Sequence, residues 1–227
     1  MASSNKTEDR KAILLDFNGT LFFDTCFHQE AWSKIYREFH GENAQVPGTA
    51  VFCGPCNDVI IQMIAPELTK EERWKCSVHK EAVYREICGR HPEQVHLMAG
   101  AEELLSRLKA QKIPMILATA SIPDNVDFYF RTFRLDRWFD RNLCVYDDGT
   151  YANKGEMYLE SARRLGVSLS DCIVVEDSAG SIACAKEIGT GMIIGIGTDL
   201  IHPELIRAGA THCIRDFTEF NLEWLRN

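Results

Sequence analysis

The sequence is short of several features at once. No apolar run approaches the roughly 18 residues that a membrane-spanning helix needs. The stretch Met1 to Arg10 is polar and has no apolar signal-peptide core. A frayed amino-terminal tail, a cytoplasmic location and no membrane partner are therefore expected. Positive charge is in deficit, with 25 Lys and Arg against 33 Asp and Glu and a net charge of −8. This speaks against nucleic acid as a partner, and it means that an anionic substrate must be held by local cations or by a metal. Paired cysteines are also missing. The nine cysteines are scattered and odd in number, so reduced thiols rather than a disulfide framework are expected in a chain without an export signal. The one close pair, Cys53 and Cys56, has no second pair and no suitably spaced His pair to complete a zinc site. There is no internal repeat and no low-complexity segment.

Strand patterning is absent from one long region. Ala31, Trp32, Ile35, Tyr36 and Phe39 recur at helical spacing within Phe22–Gly41. Val59, Ile60, Met63 and Ile64 suggest a second helix ended by Pro66, and Glu71–Arg90 reads as a third. On either side of this region the texture is different. Ala12-Ile13-Leu14-Leu15 is an apolar strand ended by Asp16-Phe17-Asn18-Gly19-Thr20. From Met98 onward helix and strand alternate: a helix over Ala101–Gln111, a strand ending at Thr119, a helix over Asp124–Phe133 and a short strand over Leu143–Tyr146. A helix over Gly155–Leu165, a strand ending at Glu176-Asp177, a helix over Ser181–Ile188 and strands at Met192–Ile196 and His212–Ile214 follow.

Alternation of this kind implies an α/β fold, a doubly wound parallel sheet covered by helices on both faces. The first strand belongs to that sheet, so the helical region is an insertion. Residues 1–22 and 97–227 are expected to form a Rossmann-like core and residues 23–96 an inserted helical cap, with linkers near Phe23 and Leu97. A cap on two such hinges is suited to closing over a site and excluding water.

Open parallel sheets bind ligands at the carboxyl ends of their strands. Asp16, Thr119, Glu176 and Asp177 fall at such ends, and Lys154 lies just before a helix. Taken singly, each has a plain alternative as a turn opener, a helix cap or a solvated amine. Together their chemistry is complementary. Asp16, Glu176 and Asp177 offer hard oxygen ligands suited to Mg²⁺, Lys154 balances negative charge, and Thr119 donates a hydrogen bond. A carboxylate nucleophile with a metal and a lysine is equipped for phosphoryl transfer through an aspartyl-phosphate.

The set Asp16-Phe17-Asn18-Gly19-Thr20, Ile116-Leu117-Ala118-Thr119-Ala120-Ser121, Asn153-Lys154-Gly155 and Val174-Val175-Glu176-Asp177-Ser178 resembles, in order and spacing, the four motifs of the haloacid dehalogenase-like (HAD) hydrolase superfamily. The inserted helices and the carboxy-terminal Ala210–Phe217 resemble its helical-cap branch of β-phosphoglucomutase-like enzymes and sugar-phosphate phosphatases. The resemblance implies a Mg²⁺-dependent hydrolase of a small phosphorylated metabolite. Asp16 would be the nucleophile and a metal ligand, and Asn18 (through its backbone carbonyl), Asp177 and Glu176 would complete or support the metal shell. Thr119 and Lys154 would hold the phosphoryl group. Ser121, His28 at the start of the first cap helix and Asn57 in the cap are candidate substrate contacts.

The chain departs from the phosphatase pattern at position 18, where Asn stands in place of Asp. In the family that second Asp protonates the leaving group and then activates water, and an amide does neither. General acid–base assistance is typically worth about 10²–10⁴ in rate. Four readings stand: a slowed phosphatase in which Ser121, His28 or the substrate supplies the proton function; a weak or inactive relative that binds phosphometabolites or a protein; a branch with other chemistry; and an Asp-to-Asn trapped variant. Motif four also departs, with Ser181 where the family usually has Gly.

Overall fold

The structure, a computed structural model, describes residues 11–48, 52 and 56–226. The expected amino-terminal tail, and residues 53–55 of the C-x-x-C, lie outside the described residues. The chain divides into two compact units, Met1–Phe23 with Leu97–Asn227, and Asp24–His96.

The first unit is built on six parallel strands, β1 (Ala12–Leu15), β2 (Met115–Thr119), β3 (Val145–Tyr146), β4 (Cys172–Glu176), β5 (Met192–Ile196) and β6 (His212–Ile214). Their order is β3-β2-β1-β4-β5-β6. β1 therefore lies between β2 and β4, with Leu14 level with Ile116 on one side and Val174 on the other. The chain first winds outward from β1 to β3, then returns to β4 and winds the other way. The reversal falls beside β1, which makes its carboxyl end the topological switch point of the sheet. All four residues of β1 are fully buried, as a central strand covered on both faces must be. Leu14 packs with Ile116, Val174, Ile193 and Tyr158 in the core on one face.

The inserted unit contains α1 (Thr25–His40), α2 (Asn57–Ile64) and α3 (Lys70–Arg90). α3 packs on both of the others. Trp32, Ile35, Ile61, Tyr84 and Ile87 are buried. α3 opens with a capping box in which Thr69 accepts from the Glu72 amide, and Glu72 accepts in return from the Thr69 amide and hydroxyl. The helices of the first unit are α4 (Ala101–Ala110), α5 (Pro123–Phe133), α6 (Lys154–Leu165), α7 (Ala179–Glu187) and α8 (His202–Ala208).

Several boundaries differ from the sequence reading. α1 begins at Thr25 rather than Phe22, because Phe22 is a buried core residue whose backbone closes the preceding loop: its amide donates to the Phe17 carbonyl and its carbonyl accepts from Gly19. β3 shrinks to Val145–Tyr146, and Leu143 is exposed. Lys154 is the first residue of α6 rather than a residue before it, since Asn153 caps the helix. α7 begins at Ala179, two residues before the expected start, capped by Ser178. α8 has too short a pattern to be read from the sequence.

Burial in this core sets a stability test. Leu14→Ala is expected to cost about 2–5 kcal/mol in urea denaturation through lost contact and a residual cavity. Leu200→Ala, at a side chain 91% exposed, is expected to stay within about 0.5 kcal/mol.

Candidate active site

Asp16 sits one residue past β1, with its amide donating to the Val175 carbonyl of β4. Thr119 ends β2 and Glu176 ends β4, with Asp177 following. α6 brings Lys154 to the same edge of the sheet. Lys154 Nζ donates to Asp16 Oδ1 at 2.6 Å and to the Ala118 carbonyl at 2.8 Å, and it pairs with Glu176 Oε1 at 2.8 Å. The hydroxyl of Tyr158, one helical turn along α6, donates to Glu176 Oε1 at 2.6 Å. Glu176 Oε2 accepts from the Asp177 and Ser178 amides. The Glu176 carboxylate is thus fully engaged and fixed.

These charges are out of solvent: Asp16 is 6% exposed and Glu176 1%. Burial raises the Asp16 carboxyl, opposed by Lys154 and reinforced by Glu176, and pushes it up to about 7. Burial alone would lower the Lys154 ammonium, but the facing carboxylates of Asp16 and Glu176 reverse this and hold it above its ordinary range. Burial, then the charge of Glu176, likewise keeps the Tyr158 phenol protonated well past its ordinary range. Asp16, Glu176 and Asp177 each offer a carboxylate oxygen, and the three oxygens lie within 4.8 Å of one another. Three hard oxygen donors against a single ammonium form a set with negative charge to spare, which suits a hard divalent cation.

The loop after β1 is shaped for this cluster. Gly19 has φ +72°, and a Cβ on it would stand 2.0 Å from Asp177 Oδ2. Glycine is required both for the left-handed backbone and for the approach of Asp177. The side chain of Asn18 meets hydroxyls: its Nδ2 donates to Tyr129 at 2.8 Å, and its Oδ1 accepts from Ser121 at 2.6 Å and from Thr119 at 3.4 Å.

The sheet edge therefore brings Asp16, Asn18, Thr119, Ser121, Lys154, Glu176 and Asp177 together. His28 and Asn57 belong to the inserted unit, where they join one polar cluster. Lys80, 1% exposed, bonds His28 Nδ1 at 2.7 Å and Glu81 at 2.8 Å. Asn57 donates to Glu81 and Ser77. His28 stacks on Tyr84, whose hydroxyl donates to Asp24. Sequence reasoning missed Tyr158, Tyr129, Lys80 and Glu81. Tyr158 had a signal, lying four residues after Lys154 on one helix face. Tyr129 had none, as one of several aromatic residues on α5.

A parallel sheet carrying nucleophile, lysine and acidic pair at its switch point defines an α/β hydrolase-type site. Residues 10–189 match the haloacid dehalogenase-like hydrolase family, and the chain belongs to that family. A crystal structure of a HAD hydrolase, family IA, variant 3, from Entamoeba histolytica superposes with a TM-score of 0.87 at 32% identity, covering 95% of this chain and 97% of that one. The phosphorylated carbohydrates phosphatase of Thermotoga maritima is 26% identical over 90% of this chain and 94% of its own length. A Drosophila melanogaster protein named "Probable pseudouridine-5'-phosphatase" is 32% identical over 53% of this chain, and the match spans 54% of that protein. Among the described residues, no helix is long and apolar enough to cross a membrane.

The buried pair in the inserted unit carries a pH signature. Burial opposes ionisation of Glu81, but Lys80, His28 and the Asn57 amide outweigh it and hold the carboxyl down at about 2. A lowered folded-state value stabilises the fold above the unfolded-state value and is lost as pH falls through the folded one. Glu81 should thus contribute roughly 2–3 kcal/mol above about pH 4.5, lost progressively toward pH 2. Glu81→Gln is expected to be less stable at pH 7, because Lys80 loses its charge partner. Its unfolding free energy should also fall less steeply than the wild type's between those pH values, as read from denaturant titrations.

Proposed function

We infer that this protein hydrolyses a small phosphorylated metabolite, a sugar or nucleotide-like phosphate, through an aspartyl-phosphate on Asp16 with Mg²⁺ bound at the carboxylates. The observation that carries the reading is the contact of Lys154 with Asp16 at the switch point, flanked by Glu176 and Asp177. The names of the relatives, a carbohydrate-phosphate phosphatase and a nucleotide-like phosphatase, support this substrate class.

Asp16, Asp177 and the backbone carbonyl of Asn18 would hold the metal, with Glu176 ligating or bracing from its amide and phenol contacts. The bound cation would neutralise phosphoryl charge and lower the cost of bringing an anion to an acidic site. Lys154 is placed to share its charge between Asp16 and an arriving phosphoryl oxygen. Thr119, buried at the end of β2, offers a hydroxyl donor for another. Asp16 is held by its neighbours in one orientation, which limits the entropy lost in attack.

A second reading is favoured by one residue. Asn18 supplies no carboxylate, so a protein that binds a phosphometabolite and turns it over slowly or not at all is the alternative. The two are separated by Mg²⁺-dependent phosphate release on an aryl phosphate and a panel of sugar phosphates. Under the first reading, release is measurable and Asp16→Ala lowers it by at least about 10³-fold. Acid-quenched wild-type protein should also carry alkali-labile phosphate on Asp16. Saturable Mg²⁺ and phosphate binding without release on any substrate would establish the second.

The Gly19 geometry gives a further test. Gly19→Ala forces Asp177 away from the cluster and is expected to weaken divalent-cation affinity by about 10–100-fold in calorimetric titration, with the far-ultraviolet spectrum retained. Unchanged affinity would remove Asp177 from the metal site.

A further inference from the structure

Beside Asp16 lies a ring of neutral groups. Asn18 Nδ2 donates to the Tyr129 hydroxyl at 2.8 Å, Ser121 Oγ donates to Asn18 Oδ1 at 2.6 Å, and the Ser121 and Tyr129 hydroxyls are 3.2 Å apart. With the amide giving to Tyr129 and taking from Ser121, the phenolic proton is the one left to bridge Tyr129 to Ser121. Each member then donates once and accepts once, an arrangement whose bonds reinforce one another.

The ring is built in rather than incidental. Tyr129 is fully buried and stacks on Phe17, with centroids 4.0 Å apart. Phe17 is the residue between Asp16 and Asn18, so the phenol braces the loop that carries the nucleophile. The Ser121 amide donates to Thr119 Oγ1, which fixes the serine from its other side. Asn18 and Ser121 are half-buried whereas Tyr129 is closed off. The amide and the serine hydroxyl are therefore the accessible members of the ring, and the phenol is its root.

These groups limit what can leave. An amide does not ionise, and a serine hydroxyl is a hydrogen-bond donor rather than an acid near neutrality. Such groups stabilise a departing anion but do not protonate a departing alkoxide. We propose that Ser121, aimed by Asn18 and by Tyr129 as a positioning residue, donates a hydrogen bond to the departing oxygen. The site then selects phosphate compounds that release a resonance-stabilised oxyanion: aryl, enol or acyl phosphates, or phosphoric anhydrides.

This rests on the reading above that Asp16 attacks phosphorus. As the bond from Asp16 Oδ to phosphorus forms, the bond to the departing oxygen breaks. The electron pair leaves on that oxygen, which accepts from Ser121 Oγ and takes its proton from bulk water after release. Water then adds to phosphorus, the bond to Asp16 breaks and restores the carboxylate, and the proton of the water passes to a phosphate oxygen.

The test is kcat/KM across a leaving-group series at fixed Mg²⁺: acetyl phosphate, aryl phosphates from 4-nitrophenyl to phenyl, and an alkyl phosphate. It is run on the wild type, Asn18→Asp, Tyr129→Phe and Asp16→Ala. The wild type is expected to fall more steeply with leaving-group basicity than Asn18→Asp, which should gain about 10²-fold on the alkyl phosphate and little on acetyl phosphate. Tyr129→Phe keeps the aromatic stack and removes one hydroxyl. It is expected to lose about tenfold on phenyl phosphate and progressively less toward 4-nitrophenyl and acetyl phosphate. A uniform loss across the series would make Tyr129 merely structural and overturn the proposal. Equal slopes for wild type and Asn18→Asp would also overturn it while leaving hydrolysis at Asp16 intact. Activity that survives Asp16→Ala, or no phosphoenzyme on any substrate, would instead overturn the functional reading and this inference with it.

Discussion

The contact on which the rest depends is the one from Lys154 to Asp16 and Glu176. Two carboxylates and an ammonium are withdrawn from water at the end of a central strand, where an unpaired charge costs several kcal/mol. The geometry meets that cost with specific partners. Lys154 spends its donors on Asp16, Glu176 and the Ala118 carbonyl, and Glu176 takes a phenol and two amides besides. The cluster is still left with more negative than positive charge, and the cost shows in the Asp16 carboxyl pushed up to about 7. A site in that condition favours an added cation, because the cation lets Asp16 ionise fully and attack as an anion. Cation binding and nucleophile readiness are one electrostatic problem, and the chain solves part of it with Lys154.

The fold places these groups without requiring each to be argued separately. Reversal of winding direction beside β1 opens the sheet's carboxyl edge there. β2 and β4 flank β1, so the residues that end them must face the same opening. Lys154 reaches it because α6 starts at that edge, capped by Asn153. The polar ends of three strands and the start of one helix thus converge by topology alone. Gly19 then allows Asp177 to close in.

That is why much of the site could be read before any coordinates. Apolar runs ending in Asp, Thr and Glu are visible in one dimension, and parallel winding carries such ends to one place. The carboxylates, Thr119 and Lys154 were legible on those terms. Contacts across long separations from unremarkable positions were not. Tyr129 is 111 residues from Asn18, and nothing in the aromatic-rich face of α5 marks it as different from Phe128 or Phe130. The Lys80–Glu81 pair was hidden for another reason: α3 reads as a charged, exposed helix, and only packing against α1 and α2 shows that two of those charges are buried. Helix starts were misread where a side chain serves a loop, as Phe22 does, or where a cap residue sits outside the periodic pattern, as Asn153 and Ser178 do.

Position 18 is where the sequence departs from its family and where the surroundings explain what the departure does. A carboxylate there would add a negative charge two residues from an Asp16 already made hard to ionise by burial and by Glu176. It would also draw the protons of both Tyr129 and Ser121 to itself, leaving none to join the two hydroxyls. The amide adds no charge and has one donor for the phenol and one acceptor for the serine, so the ring closes around it. A neutral residue at this point eases ionisation of the nucleophile and fixes its loop, and it withholds the proton that a basic leaving group needs. Those two consequences cannot be separated by adjusting the ring, because both follow from replacing an ionisable oxygen with an amide nitrogen. Compounds that depart as stable anions receive the benefit without the penalty.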